Sequence, residues 1–311
     1  MKGLSIVDRA GILNDAISLS QSGYLPTSSV LTLLQSYESE TDFTVWYTIK
    51  DALTSLLHAL SIYPALQRRL RALIHRLAAP LLARLTWDAQ PGESDQTTRL
   101  RSIAVSLALA GEADGNGPVS EEALRRFEAY RRDPATLSAT LRTTVFCAAA
   151  RKSEKYWDEL MAIYMDQNNN QDARYNALLA LGAPREEERL RKVYKWTLES
   201  GDVRKQDIYY TFASGGTANQ EATGKFVMEN WEKVCGEGTQ GLFGIVGYIV
   251  EYAFGWARLE KLEEIKRFFE SKKCDTIVRV LAEVYEKIEV RGRWRERMLA
   301  DLPSYFDKEG L

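Results

Sequence analysis

The amino-acid sequence predicts an all-α protein, a superhelical α-solenoid of stacked antiparallel helix pairs of the HEAT or armadillo type, with roughly 14–16 helices and a concave inner face. Three observations support this prediction. Apolar residues recur at helical spacing in long segments, the breaks between these segments are short, and no run of alternating apolar and polar residues indicates a strand. No clean sequence repeat is visible, so the solenoid is expected from the pairing of consecutive helices and not from a detected repeat.

The predicted helices follow one another along the whole chain. The breaks between them carry glycine, proline or asparagine, at residues 23–26, 111–118, 133–134, 168–170, 182–184, 215–216 and 236–241. The apolar stripes that predict the helices cover residues 13–19, 30–34, 42–57, 66–77, 100–110, 123–130, 141–150, 156–164, 175–181, 190–198, 206–213, 226–234, 242–252, 259–269 and 276–294.

Individual residues indicate where several helices begin and end. Ser28 or Ser29 can cap the second helix, and the third begins near Asp42. The apolar repeat that predicts the fourth helix follows Pro64. Gly215-Gly216 is expected to separate two helices, because consecutive glycines favour a turn.

Length and charge limit the classes of protein to which the chain can belong. With 311 residues and no low-complexity linker, we expect a single helical solenoid domain over residues 1–311, with a candidate internal seam near 89–96 and a second at 111–118. The 41 basic and 43 acidic side chains nearly cancel. A nucleic-acid-binding protein would show a strong basic excess, so no nucleic-acid partner is expected.

Cysteine usage and hydropathy bear on location. Cys147, Cys235 and Cys274 are too few and too far apart for a disulfide framework, and no Asn-x-Ser/Thr acceptor occurs. These facts favour a reducing, cytoplasmic location, while a parent protein in the endoplasmic-reticulum lumen or a secreted one stays open. The most apolar stretch, residues 242–256, is interrupted by Glu251 and by glycines and is too short to span a bilayer.

The sequence contains no motif for catalysis or metal binding. Its two histidines, His58 and His75, do not form a His-Glu-x-x-His pair, so no metal site is expected. A Gly-x-Ser-x-Gly elbow, a Walker loop and a dinucleotide fingerprint are also missing from the sequence. Acidic runs such as 186–188 and the arginine-rich segment 67–76 are interpreted as solvated helix faces. The residues alone therefore predict a helical solenoid without a catalytic centre.

Several short segments nevertheless resemble one known family, in the same order along the chain. They include Asp8-Arg9-Ala10 with Leu13-Asn14-Asp15-Ala16, Glu40-Thr41-Asp42-Phe43 with Val45-Trp46, Trp157-Asp158-Glu159-Leu160, Val203-Arg204-Lys205-Gln206-Asp207 and Leu302-Pro303. The pattern is similar to the C-terminal helical domain of the zinc aminopeptidases that include the puromycin-sensitive, glutamyl and endoplasmic-reticulum aminopeptidases. Segment 203–207, where the family has Val-Arg-x-Gln-Asp, is the most specific match. The pattern departs from the family at Asp8 and at Arg291-Gly292.

The resemblance implies that the metal chemistry belongs to other domains. In such enzymes an N-terminal domain and a thermolysin-like catalytic domain precede the helical domain and carry the zinc ligands and the general-base glutamate. This sequence has none of those motifs. The resemblance thus implies no cofactor in this chain and zinc in the parent enzyme. The implied partners are the other domains of that enzyme and peptide substrates, whose distal part the concave face would help to bind.

The resemblance also draws attention to four side chains for the peptide groove. Arg204, Gln206 and Asp207 are candidates, because an arginine fork and a carboxylate suit a peptide terminus; the same residues would also suit a brace at a helix N-terminus. His58 falls in the third predicted helix, where related enzymes can hold a peptide carboxylate, although no motif transfers that role to it.

Arg9 and Asp15 are candidates for contact with the catalytic domain, or for bracing the first helix pair. Two functions are then open. The chain is either the C-terminal domain of a zinc-dependent aminopeptidase, enclosing the active-site cavity and inactive alone, or a free-standing helical-repeat scaffold that binds a protein or peptide in its groove.

Overall fold

The computed structural model describes residues 3–112, 115–236, 244–272 and 277–311, and within them it contains sixteen α-helices and no strand. The predicted all-α class is confirmed. The helices are α1 (Ile6–Ser22), α2 (Thr27–Gln35), α3 (Phe43–Ala59), α4 (Pro64–Leu85), α5 (Asp95–Gly111), α6 (Pro118–Arg132), α7 (Ala139–Lys152), α8 (Glu154–Met165), α9 (Gln171–Leu181), α10 (Glu187–Glu199), α11 (Tyr209–Ala218), α12 (Gln220–Glu229), α13 (Trp231–Val234), α14 (Ile245–Phe254), α15 (Leu262–Glu270) and α16 (Val278–Lys308).

The chain divides into two compact units. The first unit comprises Met1–Thr144 and Arg293–Leu311, and the second comprises Val145–Gly292. Residues 89–96, the candidate seam, cover the end of the loop between α4 and α5 and the first two residues of α5, inside the first unit. The single domain and the solenoid arrangement of the whole chain stay predictions. Among the helices that the structure describes, none combines the length and apolar character needed to cross a membrane.

In the first unit, α1, α3 and α5 pack side by side, and α4 packs along α5. The final helix α16 adds Trp294, which is 0% exposed, to this core. The indole Nε1 of Trp294 donates to Ser20 Oγ at 3.1 Å and to Thr27 Oγ1 at 3.0 Å. These bonds join α16 to the end of α1 and the start of α2, so two segments distant in sequence close the unit.

The N-terminus of α2 is capped differently from the sequence prediction. The helix begins at Thr27 after Pro26, and neither Ser28 nor Ser29 supplies a side-chain cap. Instead Asp301 Oδ2, from α16, accepts a hydrogen bond from Ser28 N at 2.7 Å. An acidic group at this end also interacts favourably with the helix dipole. At α3 the prediction is confirmed, because Asp42 Oδ1 accepts from Thr44 N at 2.7 Å.

Some predicted helix boundaries in the second half of the chain were wrong. Gly215 and Gly216 lie inside α11, and the break comes at Asn219. Asn230 divides the predicted stripe 226–234 into α12 and α13. The last helix continues beyond residue 294 to Lys308. Residues 237–243 and 273–276, on which two predicted helix starts fall, lie outside the described residues.

Ion pairs in the second unit recur at a nearly constant separation along the chain. Lys225 Nζ donates to Glu187 and Arg258 Nη2 to Glu221, over 38 and 37 residues. Lys287 Nζ donates to Glu251 over 36 residues. A separation of 36 to 38 residues corresponds to about one pair of helices. Equivalent positions of consecutive helix pairs therefore lie next to each other in this unit.

The loop between α4 and α5 is held by a buried arginine. The Arg101 side chain is 3% exposed, and its Nε donates to Leu85 O at 3.1 Å while both Nη atoms donate to the Glu93 carboxylate. These hydrogen bonds lower the pKa of Glu93 from its ordinary value near 4.5 to about 2. Because this folded-state pKa is depressed, the stability that the pair contributes is present above pH 4.5 and is lost as the pH falls towards 2.

We therefore expect Glu93→Gln to be less stable than the native chain at pH 7, and the difference to vanish near pH 2. Urea unfolding midpoints measured at pH 7, 4.5, 3 and 2 test this. Glu263→Gln, at a side chain that is 73% exposed, is the matched control and should leave the midpoint unchanged throughout. A midpoint difference for Glu93→Gln that stays constant across the series would contradict the assignment.

Candidate functional site

The most specific segment of the sequence, residues 203–207, lies in a short turn directly before α11. Arg204 Nε donates to Asp207 Oδ2 at 2.7 Å. The Arg204 side chain is 57% exposed, whereas that of Asp207 is 13% exposed. Gln206 is exposed. Arg204 and Asp207 thus form a local ion pair, and α11 begins without a side-chain cap from either of them.

Next to this turn lie five tyrosines from three helices, four of which are joined by ring contacts. The rings of Tyr175 and Tyr210 meet edge to face with centroids 4.6 Å apart, and those of Tyr209 and Tyr210 are 4.1 Å apart. Tyr209 also contacts Tyr248 at 5.4 Å. Tyr252 lies one helical turn after Tyr248 on α14, on the same face. We call these five residues the tyrosine surface.

The tyrosine surface is partly open to solvent. Tyr248 is 50% exposed and Tyr252 is 37% exposed, while the other three rings are half-buried. α11 contacts both α9 and α14, so the middle helix supplies the two central rings. Large rings that are held against one another lose little conformational freedom on binding a ligand, which makes such a surface suited to recognition.

Acidic groups shape the electrostatics of the tyrosine surface. Burial raises the pKa of Tyr175, and the neighbouring phenol of Tyr210 and the carboxylate of Asp207 raise it further. Burial also raises the pKa of Tyr252, with Glu251 adding to the effect. For Tyr209, burial and its hydrogen bond with Tyr210 raise the pKa together. The phenols of Tyr175, Tyr209 and Tyr252 therefore remain neutral at pH 7 and can both donate and accept hydrogen bonds.

Arg9 and Asp15 lie on α1 in the first unit and have different surroundings. Arg9 Nε donates to Glu40 Oε2 at 2.6 Å, and Tyr37 Oη donates to Arg9 O at 2.7 Å. Burial alone would raise the pKa of Glu40, but the hydrogen bond from Arg9 helps to hold it below its usual value. Arg9 therefore braces α1 against the loop before α3, whereas Asp15 is exposed on α1.

His58 also belongs to the first unit, so it is not in the same compact unit as Arg204. It is half-buried near the C-terminal end of α3, where its backbone carbonyl accepts from Ser61 Oγ at 2.8 Å. His75 is exposed on α4. Among the residues predicted from the sequence, the Arg204–Asp207 pair thus lies next to the tyrosine surface, in the second unit.

Comparison with known proteins gives the chain a family. A sequence model described as the ERAP1-like C-terminal domain matches residues 1–290. The chain belongs to the ERAP1-like C-terminal domain family. This ERAP1-like domain is 27% identical to Aminopeptidase 2, mitochondrial, of Saccharomyces cerevisiae, over 99% of the chain and 32% of that protein.

Other similar proteins carry related names. Aminopeptidase M1 of Arabidopsis thaliana is 26% identical over 95% of the ERAP1-like domain and 34% of its own length. Alanine/arginine aminopeptidase of Saccharomyces cerevisiae is 26% identical over 94% of the domain and 34% of its own length. The chain thus spans about a third of the length of these curated relatives.

The part of the ERAP1-like domain that the structure describes offers no ligand set for zinc, which the resemblance assigns to the parent enzyme. Within the described ranges, no group of three His, Cys, Asp or Glu side chains is placed to hold a metal ion. Burial raises the pKa of the Cys147 thiol, which disfavours the nucleophilic thiolate at pH 7. Cys274 lies outside the described residues.

A cavity of about 340 Å³ lies in the first unit of the ERAP1-like domain, apart from the residues predicted from the sequence. Its lining includes Arg297 and Asp301 beside the turn between α1 and α2. Both side chains are engaged in the fold, because Arg297 Nη2 donates to Gln21 O at 2.6 Å and Asp301 caps α2. These polar groups hold the turn in place.

The tyrosine surface was missed by the sequence reasoning. Two weak signals were present: the adjacent Tyr209-Tyr210 directly after the Val-Arg-x-Gln-Asp segment, and the four-residue spacing of Tyr248 and Tyr252. Tyr175, in contrast, precedes Tyr210 by 35 residues, and the whole of α10 lies between them in sequence. Its place in the ERAP1-like domain follows only from the packing of α9 against α11.

Proposed function

We propose that the chain is the C-terminal domain of a zinc-dependent aminopeptidase, encloses the active-site cavity, helps to bind the distal part of peptide substrates, and is not catalytic alone. The observation that carries this proposal is the family match over residues 1–290, together with the chain covering only about a third of relatives named as aminopeptidases. The tyrosine surface adds support, because half-open aromatic groups suit peptide binding.

The proposed partners are the N-terminal and catalytic domains of the same enzyme, which would supply the zinc site. The exposed face of α1 supports a domain contact there. Ile12, Asp15 and Leu19 occupy one face at helical spacing, and Ile12 and Leu19 are 40% and 46% exposed. In this proposal Asp15 meets the catalytic domain while Arg9 braces the helix behind it. A cytoplasmic location belongs to the same proposal and rests on the sparse cysteines.

The experiment that tests the proposal separates the two parts of the enzyme. The reading frame upstream of Met1 is expected to encode His-Glu-x-x-His and a later zinc-binding glutamate. That upstream portion and residues 1–311 are produced separately and assayed for aminoacyl-amide hydrolysis with zinc, alone and mixed. We expect no hydrolysis by the chain alone, and a rise of about tenfold or more when it is added to the upstream portion, since domain closure positions the substrate and excludes water.

A matched pair of substitutions checks the contact on α1. Leu19→Asp is expected to weaken the rise in activity, because it introduces a charge into the proposed interface. Met165→Asp, at a residue of α8 that is 42% exposed, is the control and should behave like the native chain. A stable, folded mixture without any change in hydrolysis would overturn the proposed function.

A further inference from the structure

We propose that the tyrosine surface is a subsite for a positively charged side chain, lysine or arginine, of a bound peptide. This inference rests on the proposed function, because it assumes that the domain holds peptides. It adds a preference for a type of side chain and assigns that preference to Tyr175, Tyr209, Tyr210, Tyr248 and Tyr252.

The geometry of the rings supports a cation. The face of an aromatic ring carries negative electrostatic potential, and an ammonium or guanidinium group within about 6 Å of the ring centroid is attracted to it. The surface presents adjacent rings with centroids 4.1 to 5.4 Å apart, so one cation can contact more than one of them. Tyr248, the most exposed ring, is the point of entry.

The charges at the two ends of the surface have the matching sign. Asp207 acts on the phenol of Tyr175, and Glu251 acts on that of Tyr252. Arg204 and Lys287 are each tied to one of these carboxylates. An anionic group of a peptide would meet the negative ring faces, whereas a cation is attracted by them and, where it displaces Arg204 or Lys287, by a carboxylate as well.

Arg204 provides a direct test of the proposal, because two interpretations of this residue predict opposite effects of its removal on peptide binding. As a holder of a peptide carboxylate, Arg204 would strengthen binding, and its removal would weaken it. In the present proposal its exposed guanidinium occupies Asp207 and competes with the incoming cation. Removal of Arg204 would then free the carboxylate for the ligand.

The test uses the full 311-residue chain and fluorescent decapeptides of otherwise neutral sequence. One residue at a time is replaced along the peptide by arginine or by citrulline, which has the same shape but no charge. Fluorescence anisotropy titrations give the Kd of each peptide. At the position that reaches the tyrosine surface, arginine is expected to bind about three- to thirtyfold more tightly than citrulline.

Substitutions assign the preference to the surface. Tyr248→Leu is expected to reduce the arginine preference, and Tyr248→Phe to retain it, since phenylalanine keeps the ring face. Tyr47→Leu, at a tyrosine of α3 that is also 50% exposed, is the matched control and should leave the preference unchanged. Arg204→Ala is expected to tighten the binding of the arginine peptide. Circular dichroism verifies that each variant is folded.

The outcomes separate this inference from the proposed function. If peptides bind but arginine and citrulline give equal Kd values at every position, the cation subsite is wrong and the peptide-binding function stands. Weaker binding of the arginine peptide to Arg204→Ala would also overturn the subsite, in favour of a carboxylate site. If no peptide binds to the folded chain at any concentration tested, both proposals fail.

Discussion

Replacing Trp294 by alanine is expected to destabilise the protein by about 3–5 kcal/mol, the usual cost of removing a fully buried large aromatic side chain. Trp294 is 0% exposed and lies in the half of α16 that belongs to the first unit. Its loss leaves a cavity beside α1 and α2. It also leaves the hydroxyls of Ser20 and Thr27 without the indole donor, although these two hydroxyls still bond to each other at 2.9 Å.

Urea unfolding at pH 7 measures this loss of stability. A second substitution separates the contribution of the buried volume from that of the hydrogen-bond donor. Trp294→Phe retains most of the buried volume but removes the donor, so we expect a smaller loss, about 1–2 kcal/mol. Tyr24→Ala, at a residue that is 82% exposed in the turn between α1 and α2, should change stability by less than about 0.5 kcal/mol. Equal losses in the free energy of unfolding for Trp294→Ala and Tyr24→Ala would show that Trp294 does not anchor α16 in the core.

The contrast between α3 and α2 shows which part of the fold sequence can predict. The start of α3 is set by a local residue, Asp42, whose side chain bonds the amides of the next turn. The start of α2 depends on Asp301, which is 273 residues away from Ser28. Helical spacing and local caps are visible in sequence, whereas a cap supplied by a distant helix requires the packed structure.

The candidate site likewise has one part that the sequence predicts and one part that only the packed structure reveals. Arg204 and Asp207 are three residues apart, and the sequence placed them in one cluster; the structure joins them as an ion pair. The tyrosine surface is assembled from α9, α11 and α14, which are distant in sequence, so tyrosine content alone did not reveal it. The regular ion pairs of the second unit escaped detection because charged residues of either sign can fill equivalent surface positions, and no residue pattern repeats.

Gly215-Gly216 shows how a strong local signal is overridden by packing. Paired glycines predict a turn, but both residues lie within α11. A Cβ atom on Gly216 would lie 2.3 Å from the backbone oxygen of Tyr252, and one on Gly215 would lie 1.8 Å from the hydroxyl of the buried Tyr194. The glycines are required by the close approach of neighbouring helices and side chains, and not by a change in chain direction.

Gly216→Ala is therefore expected to destabilise the protein by about 1–3 kcal/mol, although alanine is the better helix former by about 1 kcal/mol. The neighbouring atom is backbone on α14, so the two helices must separate to accept the methyl group. Gly11→Ala, inside α1 and with nothing within 4 Å of the added Cβ, should stabilise the protein by about 0.5–1 kcal/mol.

The same substitution in two helices thus gives effects of opposite sign, and urea midpoints of the two variants provide the comparison. Intrinsic helix propensity alone would make both variants more stable than the native chain. Because Gly216 faces the helix that carries Tyr248 and Tyr252, its substitution is also expected to move these rings away from Tyr209 and to reduce the arginine preference of the tyrosine surface. Stabilisation of the protein by Gly216→Ala would mean that α11 and α14 are not in close contact, and the surface built on them would lose its support.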